Sequence, residues 1–131
     1  MAPIHRLHAQ HELKNCSADQ YFSFLKYDMA KLQRICPQFF KSFQTPAGDE
    51  NGVGTIWLAT LAMGPSHEEM VKVKVKHKVV AVDDESRTLK VSMIDGDLLR
   101  KYPKIEQTFT VTPIVTQGNE QSCVVKLSVE Y

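Results

Sequence analysis

Met70-Val-Lys-Val-Lys-Val-Lys-His-Lys-Val-Val-Ala-Val82 decides the fold. Val71, Val73, Val75, His77, Val79 and Ala81 alternate with Lys72, Lys74, Lys76 and Lys78. A period of two puts the two sets on opposite faces of an extended chain. β-Branched residues on one side and lysines on the other predict a strand with one buried and one wet face. That pattern belongs to antiparallel sheets. Asp83-Asp84-Glu85-Ser86 then reads as a turn. Thr88 to Ile94 pairs back, with Leu89, Val91 and Met93 on one face, and Asp95-Gly96-Asp97 ends it.

The same pattern extends outward. Thr55 to Met63 is a strand closed by Gly64-Pro65-Ser66, and Phe39 to Thr45 is another. The turn-rich loop Pro46 to Gly52 joins them. Ile105 to Thr112 and Ser122 to Tyr131 are two more, linked through Pro113 to Gln121. Near the start, Leu7, Ala9, His11 and Leu13 alternate with His8, Gln10 and Glu12, which predicts a strand over residues 4–14. Ser17-Ala18-Asp19-Gln20 has the form of a capping box, so a helix carrying Tyr21, Phe22, Phe24 and Leu25 should follow. A second short helix carries Met29, Leu32 and Ile35 and cannot run simply past Pro37. Strands joined in series by short turns pair antiparallel. The fold class is α+β, without parallel crossovers. Two short helices are little to cover the apolar face of so large a sheet.

Composition narrows the function. With 131 residues the expectation is one domain, 1–131. Sixteen Lys and Arg against fifteen Asp and Glu give a net charge of +1, without the basic excess of a dedicated nucleic-acid binder. Leu, Ile, Val and Phe number 35, about 27% of the chain, too many for a disordered one. The longest apolar runs, Ile56 to Ala59 and Leu61 to Met63, fall far short of the ~18–20 residues of a membrane span. Met1 to His8 lacks an apolar core, so no signal peptide is expected. Cys16, Cys36 and Cys123 are far apart and form no Cys-x-x-Cys pair, which predicts neither a zinc site nor a disulfide framework. A reduced, cytoplasmic protein is the expectation, with no cofactor and no metal.

Val80-Ala-Val-Asp-Asp-Glu-Ser-Arg-Thr-Leu-Lys-Val-Ser-Met-Ile-Asp-Gly-Asp-Leu-Leu99 resembles the central stretch of major latex proteins, in the plant Bet v I / pathogenesis-related class ten group. Ile35-Cys36-Pro37, the Gly48…Gly52-Val53-Gly54-Thr55 loop and the ending Ser122-Cys-Val-Val-Lys-Leu-Ser-Val-Glu-Tyr131 fit the same pattern in the same order. The resemblance implies a curved seven-stranded antiparallel sheet, START-like in its helix-grip form, propped by two short helices around a large apolar cavity for small hydrophobic metabolites. The family's long C-terminal helix would begin after Tyr131. The expectation is therefore a domain truncated after its last strand, with that helix absent and a homodimer possible through the uncovered concave face.

Each candidate site has a plainer reading beside it. The Gly48 to Thr55 loop carries Asp49 and Glu50, whose charge would repel a phosphate, and a strand follows it. A structural turn is favoured over the nuclease activity that the resemblance attaches to such a loop. His5, His8 and His11 would share a face on a helix, but a strand turns His8 away. Lys72, Lys74, Lys76 and Lys78 read as a solvated strand face that deters edge pairing rather than as an anion site. His77 interrupts the valines on the buried face, either as a hydrogen-bonded core histidine or as a polar group inside a pocket. The resemblance also includes norcoclaurine synthase, whose tyrosine, glutamate, lysine and aspartate fall on Val75, His77, Leu89 and Gln107. None is retained, which disfavours that chemistry.

With the resemblance setting which face lines the cavity, the lining should be Trp57, Ala59, Leu61, Val73, Val75, His77, Leu89, Val91, Met93, Gln107 and Phe109. Phe24, Leu25, Leu32 and Phe40 should close one end. The reading is an intracellular binder of small hydrophobic plant metabolites, in defence or specialised metabolism, with no nucleic-acid partner and no membrane span. The alternative is an isomerase or cyclase with the same pocket, using His77. A second alternative is a protein-interaction module presenting the open sheet.

Overall fold

The alternating valine–lysine stretch is an inner strand of a curved seven-stranded antiparallel sheet. The computed structural model describes residues 5–45, 53–63, 71–114 and 121–131. In chain order the elements are β1 (Arg6–Lys14), α1 (Ala18–Tyr27), a 3-10 turn (Met29–Lys31), α2 (Leu32–Ile35), β2 (Phe40–Gln44), β3 (Ile56–Met63) and β4 (Val71–Asp83). They continue with β5 (Thr88–Gly96), a 3-10 turn (Asp97–Arg100), β6 (Glu106–Ile114) and β7 (Ser122–Glu130). The sheet order is β1-β7-β6-β5-β4-β3-β2. Strands β2 to β7 pair in sequence, while β1 closes onto β7 from Arg6 opposite Glu130 to Lys14 opposite Ser122. The loop 46–52 and the turn at Gly64-Pro65-Ser66 lie outside the described residues.

The capping box forms as its residue types require. Ser17 Oγ accepts the Gln20 N–H at 3.1 Å, and Gln20 Oε1 accepts the Ser17 N–H at 2.9 Å. Ala18, Phe22 and Leu25 make the buried stripe of α1. Two ion pairs fasten this helix to the β4–β5 turn: Arg87 Nε to Asp19 at 2.8 Å and Lys26 Nζ to Asp84 at 2.9 Å. The core gathers α1 against Val79, Leu89, Val91, Val111 and Cys123.

The inner row of β4 departs from the expected one. Val75, His77 and Val79 are buried, but Val71 at the strand's start is 64% exposed. A bulge after Val79 pairs Ala81 with Lys90 and Val82 with Leu89. Ala81 therefore turns to the wet face and Val82 takes the inner place, because one extra residue reverses the parity beyond it. A second irregularity lies at the Lys76–His77 step, where Ile94 is the extra residue on β5. Beyond it β5 comes close to β4 at Gly96. Its φ is +139°, and a Cβ there would sit 2.7 Å from the Lys74 carbonyl oxygen, so only glycine fits. β1 forms as predicted, but most of its apolar row is uncovered: Leu7 is 58% exposed, and Leu13 at the other end packs against the core.

Candidate functional site

A cavity of about 320 Å³ lies between α1, the Met29–Lys31 turn and α2 on one side and β2, β3, β4 and β6 on the other. Antiparallel register builds its wall. Trp57 of β3 sits opposite His77 of β4, and Ala59 opposite Val75. On β2 a register shift between Phe40 and Ser42 brings both Phe40 and Phe43 to the inner face, although they are three apart. Rings then run across the strands. Phe40 to Phe43 is 6.0 Å, Phe43 to Trp57 is 6.1 Å, and Trp57 meets His77 at 6.4 Å and Phe109 at 6.3 Å, both edge-on.

His77 is the polar centre of this wall. It is 7% exposed, and its Nε2 is buried without a hydrogen-bond partner among the described residues. Burial disfavours the imidazolium and pushes its pKa down to about 4, so the ring is neutral at pH 7. Tyr21 reaches the same cavity from α1, and burial pushes its phenol up. Gln107 borders it from β6. These three polar side chains are uncharged at neutral pH, so the described lining offers hydrogen bonds but no ion pair.

The expected lining residues divide in two. Phe24, Leu25, Leu32, Phe40, Trp57, Ala59, Leu61, Val75, His77, Gln107 and Phe109 come together around the cavity. Val73, Leu89, Val91 and Met93 do not line it. Leu89 and Val91 are completely buried in the solid core, Met93 nearly so, and Val73 packs at the core's margin. Parity gives the side of the sheet but not the depth of packing above it. Tyr21, Met29 and Phe43 also line the cavity and were not expected. Tyr21 carried a signal, since it shares a helical face with Phe24 and Leu25 at spacings of three and four. Phe43 carried none, because only the bulge brings it inward.

The histidines of the first strand lie elsewhere. His5 stacks on Tyr131 with ring centroids 5.2 Å apart, and His8 Nδ1 lies 2.9 Å from Ser128 Oγ. His11 borders a second, open concavity of about 250 Å³ between β1, β6, β7 and α1. Tyr21 and Phe109 line both spaces.

The model of the pathogenesis-related protein Bet v 1 family matches residues 7–131. The chain belongs to the Bet v 1 family. The resemblance read from the sequence is thus borne out, as is the sheet it implied. MLP-like protein 423 of Arabidopsis thaliana is 31% identical over 107 residues, which cover 82% of this chain and 66% of that protein. This Bet v 1 chain thus spans just under two thirds of that relative's length. Ginseng major latex-like protein 151 from Panax ginseng shares the fold with a TM-score of 0.77 at 17% identity, covering 98% of this chain and 78% of that one. Norcoclaurine synthase from Thalictrum flavum, in complex with dopamine and hydroxybenzaldehyde, matches at 30% identity and a TM-score of 0.66, covering 98% of this chain and 70% of that one. The family thus contains a catalyst as well as latex and pathogenesis-related proteins. Among the described residues no helix is long and apolar enough to cross a membrane.

Proposed function

We propose that this Bet v 1 chain binds a small, uncharged, largely apolar plant metabolite in the 320 Å³ cavity and orients it by a hydrogen bond to His77 Nε2. The observation that carries the reading is that buried, unpartnered nitrogen. An unsatisfied buried polar atom costs roughly 1–3 kcal/mol, which a ligand hydroxyl would relieve. The remaining wall is aromatic and aliphatic, and burying a charge against it would be far more costly than burying a ring. A volume near the lower end of ligand pockets, about 300–1,000 Å³, suits a molecule of one or two rings. The fold's association with small hydrophobic ligands supports the reading. A role in defence or specialised metabolism rests on the pathogenesis-related and latex relatives.

Catalysis is the second reading, because the same fold holds norcoclaurine synthase. A histidine with its pKa near 4 is almost wholly unprotonated at pH 7 and weakly basic, which suits an orienting contact better than an acid or base. The test compares naphthol with naphthalene by quenching of Trp57 fluorescence. Naphthol should bind the wild-type chain about threefold to tenfold more tightly, the value of one hydrogen bond. His77→Leu should erase that preference while keeping naphthalene affinity. A preference that survives the substitution would move the polar contact elsewhere. Turnover that vanishes in His77→Leu would make the chain an enzyme.

A further inference from the structure

The lysine row of β4 takes no part in the cavity. Lys72, Lys74, Lys76 and Lys78 lie on the outer face, opposite the helices, and alternate residues of a strand are ~6.6 Å apart. Four of them make a basic line ~20 Å long. None forms an ion pair among the described residues, whereas Lys26, Lys31, Lys90 and Lys104 all do. The register places Ile56, Leu58 and Thr60 of β3 beside Lys78, Lys76 and Lys74. Ser92 of β5 lies beside Lys78 on the other flank. Leu58, Val80 and Ile94 are exposed there, so aliphatic side chains project among the cations. A depression of about 280 Å³ opens on this face between Leu58, Lys74, Lys76, Asp95, Asp97 and Arg100. Asp95 is the acid opposite Lys76, and one of its carboxylate oxygens accepts the Gly96 N–H at 2.8 Å.

We propose that this outer face of β3, β4 and β5 is a docking surface for an anionic lipid bilayer. Basic side chains near a membrane gain from its negative surface potential, and exposed aliphatic groups between them gain from the interface. The depression on this face holds Asp95 and Asp97 beside Lys74, Lys76 and Arg100, so the attraction for an anionic surface comes from the open lysine row and not from a headgroup pocket. Single-stranded RNA also seeks cations, but it binds through aromatic platforms. The flanking positions Ile56, Leu58, Thr60, Ser92 and Ile94 supply no ring. Docking would leave the cavity free, because His77 and its neighbours lie on the opposite side of the same strands.

The experiment is co-sedimentation of the whole chain with phosphatidylcholine vesicles, with and without phosphatidylserine. Binding should require phosphatidylserine and weaken as salt shortens the Debye length from ~30 Å at 0.01 M to ~8 Å at 0.15 M. Each lysine is worth about fivefold in affinity, so Lys72→Gln with Lys74→Gln should weaken binding about 25-fold. Leu58→Ser should weaken it as well. Both variants replace exposed residues, and an unchanged melting curve checks that they fold. Three results would each overturn the proposal: no dependence on phosphatidylserine, a lysine variant that binds like the wild type, or a polyuridine strand that binds more tightly than the vesicles.

Discussion

Replacing His77 by leucine should stabilise the protein and remove an acid sensitivity. The side chains are similar in size, so the change mainly deletes the buried Nε2 that has no partner. At pH 7 the gain should be about 1 kcal/mol, the low end of the cost of an unsatisfied buried polar group. Acid enlarges it. The folded pKa is about 4 against an ordinary 6.5, so on acidification the unfolded chain takes up the proton first. Stability is therefore full above about pH 6.5 and falls as the pH drops towards 4. The interval from 6.5 to about 4, at ~1.4 kcal/mol per pH unit, amounts to about 3 kcal/mol. Urea unfolding of both proteins at pH 7 and pH 4.5 measures it. The variant's advantage should widen by roughly 2–3 kcal/mol at the lower pH. Carboxylates such as Asp19 and Glu106, held below their ordinary range by Arg87 and by Lys90 with Lys104, titrate alike in both proteins and cancel. An advantage that is the same at both pH values would refute the claim that His77 is held neutral by burial.

Gly96→Ala should cost roughly 2–3 kcal/mol in thermal or urea unfolding, because its Cβ would meet the Lys74 carbonyl at 2.7 Å in a positive-φ conformation. Gly54→Ala has a φ of +86° but no atom of the described residues within 4 Å of the new Cβ, and should cost only about 1 kcal/mol; equal losses would argue against the close approach. Ala59→Leu should fill part of the cavity and weaken naphthalene binding by about tenfold or more with little change in melting temperature, which titration and calorimetry would check. The exposed inner face of β1, with Leu7 58% exposed, should drive self-association as concentration rises. Sedimentation velocity should find Leu7→Lys more monomeric than the wild type, and identical profiles would show that this face is not the contact.

What was legible in the sequence is what local chemistry controls. The alternation of Val73, Val75, His77 and Val79 with lysines required a strand with one wet face, because successive side chains leave a strand on opposite sides. Ser17 and Gln20 marked the start of α1, because a capping box closes within one turn. The order of elements followed; parity put Trp57 with Ala59 on one face of β3 and Val75 with His77 on one face of β4, and the family resemblance supplied that these faces line the cavity. Tertiary structure decided the rest. The bulge after Val79 sent Ala81 outward, and the one on β2 brought Phe43 inward, since register comes from the partner strand. Packing depth separated Leu89 and Val91, sealed in the core, from Trp57 and Phe109 at the cavity, though all four face the same way. The partnerless state of His77 Nε2 belongs to the assembled wall, because only the packing of neighbouring strands and helices determines what reaches a buried nitrogen.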